Sequence, residues 1–137
     1  MLKWLAVLLA TLCGGVVCSA QNSAQLETCM RKATSQNEMD HCASEEAARA
    51  KQAVNKAYVN ALSKMSGDPN ATAKLKAFES AWIIYRDRYM NAMYPANDKQ
   101  AAYGSIYPME ADLLWARLSS EQAKVLTDIL KEYEETQ

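Results

Sequence analysis

Histidine is nearly absent from this chain: His41 is the only one among 137 residues. A Ser–His or Cys–His nucleophile needs a histidine next to a free hydroxyl or thiolate. His41 has only Cys42 beside it, and Ser105, which follows Gly104, has no base. A zinc site usually takes four ligands, and His41 with Glu45, one helical turn on, supplies two. No catalytic residue and no metal site is therefore expected, and no cofactor is implied. Glycine and proline are also scarce, at four and three, so the chain has few places to turn. Strand signals are nearly missing. Ala, Glu, Lys, Gln, Leu and Met dominate, and apolar residues recur at helical spacing. After Gln21 no apolar run approaches the ~20 residues of a membrane span. Nor is there a basic excess: 15 Lys and Arg face 16 Asp and Glu, which argues against a nucleic-acid surface.

What is present begins with a leader. Lys3 gives a short positive start, and Leu5 to Val17 is apolar apart from Thr11 and Gly14-Gly15. Cys18-Ser19-Ala20 then places small residues where a signal peptidase reads them. The run is too short to span a membrane. Cys18 follows Val16-Val17, where a lipid-attachment motif takes a small residue, so cleavage near Ala20 is the expected processing. A periplasmic or secreted protein follows, with residues 21–137 as one domain. Removing the leader leaves 14 basic and 16 acidic residues, too mild a balance to identify a partner, though a cationic one is compatible. It also leaves two cysteines, Cys29 and Cys42, which have one possible intramolecular pairing. In an oxidising compartment they are expected to form a disulfide.

The mature chain reads as helical almost throughout. Residues 21–36 are polar and expected to be irregular, with at most a turn around Ala24 to Lys32. A long helix is expected from about Asn37 to Met65, with Ala47, Ala50, Val54, Tyr58 and Ala61 on its buried face. Gly67-Asp68-Pro69 ends it. Asp68 is a good N-cap and Pro69 suits the first position of the next helix, which runs to about Met93. The short turn makes these two a hairpin. Residues 94–107 form a loop, with a possible turn at Asp98 to Ala102 and a bend at Gly104. Pro108 opens a third helix to about Arg117. Ser119-Ser120-Glu121-Gln122 has the form of a capping box and is expected to start a fourth. The expected fold is all-α: a long antiparallel helical hairpin closed by one or two shorter C-terminal helices.

Within the second helix, Leu75, Phe78, Trp82, Tyr85 and Tyr89 step by three and four, the seam of helix on helix. That seam holds the wording Trp82-Ile83-Ile84-Tyr85-Arg86-Asp87. Met39-Asp40-His41-Cys42-Ala43 precedes it, as does Val54-Asn55-Lys56-Ala57-Tyr58. Gly104-Ser105-Ile106-Tyr107-Pro108-Met109 and Ala116-Arg117-Leu118-Ser119 follow. In this order the pieces resemble the LprI-type lysozyme-inhibitor family, an exported bacterial domain, over nearly all of the mature chain. The family's second cysteine pair is replaced here by Met90 and Leu114, two apolar residues expected to pack instead. The first glycine of the family's loop is Tyr103.

The resemblance implies a periplasmic protein that binds lysozyme and protects peptidoglycan. A rigid scaffold presenting a protruding element to a sugar-binding cleft would do this. The 94–107 loop is the candidate, with Tyr94, Asn97, Tyr103, Ser105 and Tyr107, since tyrosines give contact area at low entropy cost. Tyr58, Trp82 and Tyr85 are expected in the core, and Arg86 and Asp87 are expected to orient the hairpin. Trp115 is expected to be partly exposed. The alternative is a non-catalytic envelope interaction module with another protein partner. A small-ligand carrier is disfavoured, because a hairpin encloses little volume.

Overall fold

The computed structural model describes residues 23–137. The leader and its cleavage position lie outside the described residues. Five α-helices form among those described: α1 (Ala24–Lys32), α2 (Gln36–Lys64), α3 (Pro69–Met93), α4 (Lys99–Tyr103) and α5 (Tyr107–Glu135). A 3-10 turn, Gly104–Ile106, joins the last two. The all-α class is as expected.

α1 occupies residues expected to be irregular. Ser23 caps it by accepting the Leu26 N–H at 3.1 Å, and the Ser23 hydroxyl donates to Glu46 of α2 at 2.6 Å. Burial pushes the Glu46 carboxyl up, but the Ser23 hydroxyl and Arg49 outweigh it and hold it below the ordinary value. Leu26 is buried beneath α1, and Cys29 is bonded to Cys42 with Cα atoms 5.7 Å apart. A disulfide across a separation of 13 residues contributes roughly 3 kcal/mol by restricting the unfolded chain. These pairings set α1 antiparallel along the first half of α2. The polar sequence of α1 hid a helix that is stable because it is tethered.

α2 starts from a true capping box. The Ser35 hydroxyl accepts the Glu38 N–H, and the Glu38 carboxylate accepts the N–H groups of Ser35 and Thr34. Those backbone bonds, with the Thr34 hydroxyl, lower the Glu38 pKa. α3 starts as expected at Asp68, whose carboxylate accepts the N–H groups of Asn70 and Ala71 at 2.9 and 3.0 Å, followed by Pro69.

The C-terminal part differs from expectation. α5 is one helix of 29 residues, as long as α2. Ser119-Ser120-Glu121-Gln122 does not interrupt it. Ser119 has no exposed surface, and Gln122 is buried and donates to Glu79 of α3 at 2.8 Å. Both residues are therefore interior contacts of a continuing helix, not caps.

Three side-chain registers define the bundle. Gln36 reaches Met109 at the start of α5, Val54 and Leu126 share one cluster, and Lys64 meets Glu134 at the far end. α2 and α5 are thus parallel. Glu79 with Gln122, and Arg86 with Trp115, run the other way along α5, so α3 is antiparallel to both. The expected direction of the α2–α3 hairpin holds, but the tightest packing is between α2 and α5. Small residues permit it: Ala43 and Ala50 on α2 are buried near the level of Ala116 and Ser119 on α5, and further along Val54 and Ala61 pack with Leu126 and Leu130. Helix axes approach closest where side chains are small. The main apolar cluster is Val54, Ala61, Met65, Leu75, Leu126 and Leu130, walled by Tyr58, Trp82, Ile129 and Tyr133.

Of the expected seam on α3, Leu75, Trp82 and Tyr89 turn inward and Phe78 and Tyr85 do not. Leu75 and Glu79 are buried, and Trp82, Arg86, Tyr89 and Met90 are half-buried. Phe78 and Tyr85 are 38 % and 53 % exposed, which corrects the expectation that Tyr85 is core. Two charged residues sit inward because each has company: Gln122 for Glu79, and two indoles for Arg86. By the α3–α5 register Met90 stands level with Ala111, about one helical turn from Leu114; Leu114 is buried and Met90 half-buried.

Candidate functional site

The 94–107 segment closes the end of the bundle where α2 and α5 begin. α3 stops at Tyr94, whose φ of −128° and ψ of 74° leave the helix. The Asp98 carboxylate then caps α4 by accepting the Ala101 N–H at 2.9 Å. Gly104 has a φ of 73°, a left-handed conformation that costs glycine little and side-chain-bearing residues much more. It turns the chain from α4 into the 3-10 turn, which lies against α2. Pro108 then sits in the first turn of α5, where its missing N–H costs nothing.

The three tyrosines of the segment pack on one another. Tyr94 meets Tyr103 and Tyr107 edge-on, with centroids 5.4 and 5.0 Å apart, and Tyr103 stacks on Tyr107 at 5.8 Å. Aromatic pairs at such distances add about 0.5–1.5 kcal/mol each beyond area burial. The Tyr103 hydroxyl accepts the Ala96 N–H at 3.1 Å. Lys99 donates to the carbonyl oxygens of Tyr94 and Ala96. All three rings are half-buried, while Asn97, Ser105 and Ile106 are exposed around them. The structure thus brings Tyr94, Tyr103 and Tyr107 together as a stiffening cluster and leaves Asn97 and Ser105 on the outside, apart from it. Lys99 and Ile106 were missed by the sequence reading. A lysine one residue past an N-cap aspartate gives no hint that it folds back onto carbonyls.

Acidic groups surround this end. Burial raises the Tyr94 hydroxyl pKa first, and then the nearby Glu110, Tyr107 and Tyr103. Across the start of the α2–α5 pair, Asp112 is held above the usual carboxylate range by burial and by Asp40. Gln36 donates to Asp40 at 2.7 Å.

The motif residues of α3 lie further along the bundle. The Arg86 guanidinium sits between the rings of Trp82 and Trp115, 5.1 and 5.2 Å from their centroids. It also donates twice to the Asp87 carboxylate, at 2.9 and 2.6 Å. Each cation–π contact is worth roughly 0.5–2 kcal/mol. Arg86 therefore clamps α3 to α5, and Asp87, half in solvent, steadies it. Tyr58 is half-buried against the main cluster. His41 is exposed and pairs with Glu45 at 3.4 Å. Among the described residues no three His, Cys, Asp or Glu side chains converge, and no helix is long and apolar enough to cross a membrane.

Residues 29–126 match the family model described as lysozyme inhibitor LprI. Searches of curated proteins and of solved structures return no match. The matched span runs from the first cysteine of the disulfide, through the arginine clamp and the tyrosine-packed loop, to Leu126 in the core. On that match the chain belongs to the LprI family of lysozyme inhibitors.

Proposed function

We propose that the mature chain is exported, binds a lysozyme in the periplasm or outside the cell, and shields peptidoglycan by blocking the enzyme's cleft. The observation that carries the reading is the family match over residues 29–126, which takes in the whole of the 94–107 loop. The geometry supports that loop as the contact. A segment held by three packed rings, a lysine clamp and an N-cap is preorganised, so little ordering entropy is lost on binding. Asn97, Ser105 and Ile106 stand exposed on this platform. Asp40, Asp98, Glu110 and Asp112 around it favour a cationic partner.

Calorimetric titration of the mature protein against chicken-type, goose-type and invertebrate-type lysozymes, with a cell-wall lysis assay, tests the reading. Binding of one type with loss of lysis is the expected result. Ile106→Asp should abolish it while leaving the thermal melt unchanged. Tyr103→Ala should weaken it by at least ~1 kcal/mol by loosening the platform. No binding to any of the three would discard inhibition and leave the alternative, an envelope interaction module. Tight binding untouched by Ile106→Asp would keep the function and move the contact elsewhere.

A further inference from the structure

α3 is apolar on a side that faces away from the core. Lys74, Phe78, Ala81, Tyr85 and Arg88 recur every three or four residues, so they form one stripe. Phe78 and Tyr85 are exposed on it, and Ile84 beside them is 54 % exposed. On α5, Glu121, Val125, Asp128 and Glu132 form a similar stripe, and Val125 is 41 % exposed. Between the two helices runs an open groove lined by Met65, Ala71, Leu75, Phe78, Ile129 and Tyr133, with Lys74 at its rim.

The two rims carry opposite charge. Lys74, beside the groove, has no ion-pair partner among the described residues, whereas the α5 rim is acidic from Glu121 to Glu132, with Arg117 one turn before it. Glu121 and Asp128 there make only exposed pairs within α5, with Arg117 and Lys124. Exposed pairs of this kind are worth little and exchange readily. An apolar groove with one basic and one acidic rim is complementary to itself, turned half a revolution about its own length.

We infer that this groove is covered by a second copy of the chain, related by a two-fold axis parallel to the bundle. Such an axis lays α3 of each copy antiparallel on α5 of the other, completing a four-helix layer. It preserves height along the bundle. By the register that pairs Glu79 with Gln122 and Arg86 with Trp115, Lys74 stands level with Asp128 of the partner subunit. Phe78 then lies within a turn of Val125 of the partner subunit. The other possible two-fold, perpendicular to the helices, lays α3 on α3 and sets Lys74 against Arg88 of the partner subunit. Like charges disfavour that arrangement. The α3 stripe from Lys74 to Arg88 is about 21 Å long at 1.5 Å per residue. That suits an interface at the small end of the stable range, so the dimer is reversible. Because the axis keeps both copies upright, both 94–107 loops point the same way.

Sedimentation equilibrium of the mature protein over a wide concentration range tests this, with circular dichroism on each variant. The expected result is a monomer–dimer equilibrium. Phe78→Glu and Val125→Glu should each give monomer with full helix content. Lys74→Glu should weaken the dimer about tenfold, and Lys74→Glu combined with Asp128→Lys should restore it. A zero-length carbodiimide cross-link between Lys74 and Asp128, found only in the dimer band, requires no variant to fold. A wild-type chain that is monomeric throughout overturns the inference. So does a dimer that survives both Phe78→Glu and Val125→Glu, or one that yields no such cross-link.

Discussion

Ser119 is fully buried between α2 and α5, and its Oγ has no hydrogen-bond partner among the described residues. A buried hydroxyl without a partner is a cost, so its size must be what the site requires. Ser119→Ala should therefore leave the thermal stability unchanged or raise it by up to ~1 kcal/mol. Ser119→Leu should destabilise by about 1–3 kcal/mol, because it forces apart two helices packed through small residues. Denaturant titration of both variants measures the contrast. Asp112 makes the complementary point about charge. Its folded pKa lies above its ordinary value because of burial and Asp40. The ionised form is thus penalised in the folded state at neutral pH, and the penalty fades as pH falls through the raised folded value toward 3.8, the ordinary one. Asp112→Asn should raise the melting temperature at pH 7, with a gain that shrinks on acidification. Melts of both proteins from pH 7 to pH 3 follow it. At this scale the sequence was partly legible. The inward stripe of α3 contains Glu79 and Arg86, which a search for apolar residues passes over. It put Phe78 and Tyr85 on the helix-on-helix seam, and Tyr85 in the core, in their place.

Two segments carry the pattern of a capping box, and only one is a cap. Ser35 and Glu38 exchange side-chain and backbone bonds at the start of α2. Ser119 and Gln122 have the same spacing in the middle of α5. The pattern records only that a Ser and a Gln are three apart. Burial against α2 and the bond to Glu79 decide the outcome, and neither is visible in a local window. A proline substitution separates the two readings. If Ser119 capped a new helix, Ser120 would be its first residue and would tolerate proline. In a continuous α5, Ser120→Pro removes an interior hydrogen bond and should cost ~3 kcal/mol or more. Thermal melts of that variant measure the loss. By contrast, Gly67-Asp68-Pro69 was legible because its signals act locally: a carboxylate on two free N–H groups, then a proline where none is needed.

At the scale of the molecule, all-α class and the antiparallel direction of α2 and α3 could be read from spacing and turn length. The pairing of α2 with α5 could not. Alanine and serine faces are weak in any count of hydrophobic residues, yet they allow the closest helix approach in the bundle. The candidate loop was legible as a break in the helical pattern rich in tyrosine. That its tyrosines face one another, and so leave Asn97, Ser105 and Ile106 as the exposed surface, depends on the bend at Gly104 and on Lys99 folding back.

The parallel pairing of α2 and α5 also has a kinetic side. Its contacts join residues separated by 73 positions at one end. Bringing such distant segments together costs loop-closure entropy before any packing is gained. Helical proteins fold fast when their contacts are local, and here the principal ones are not. α2 lacks its principal partner while the ribosome is still making the first half of α5. A chain ending at residue 106, just before α5, should show residual helix by circular dichroism but no cooperative melt. Adding a synthetic peptide of residues 107–135 should restore the transition. In this protein α5, made after α2, is the segment that makes the earlier ones a fold.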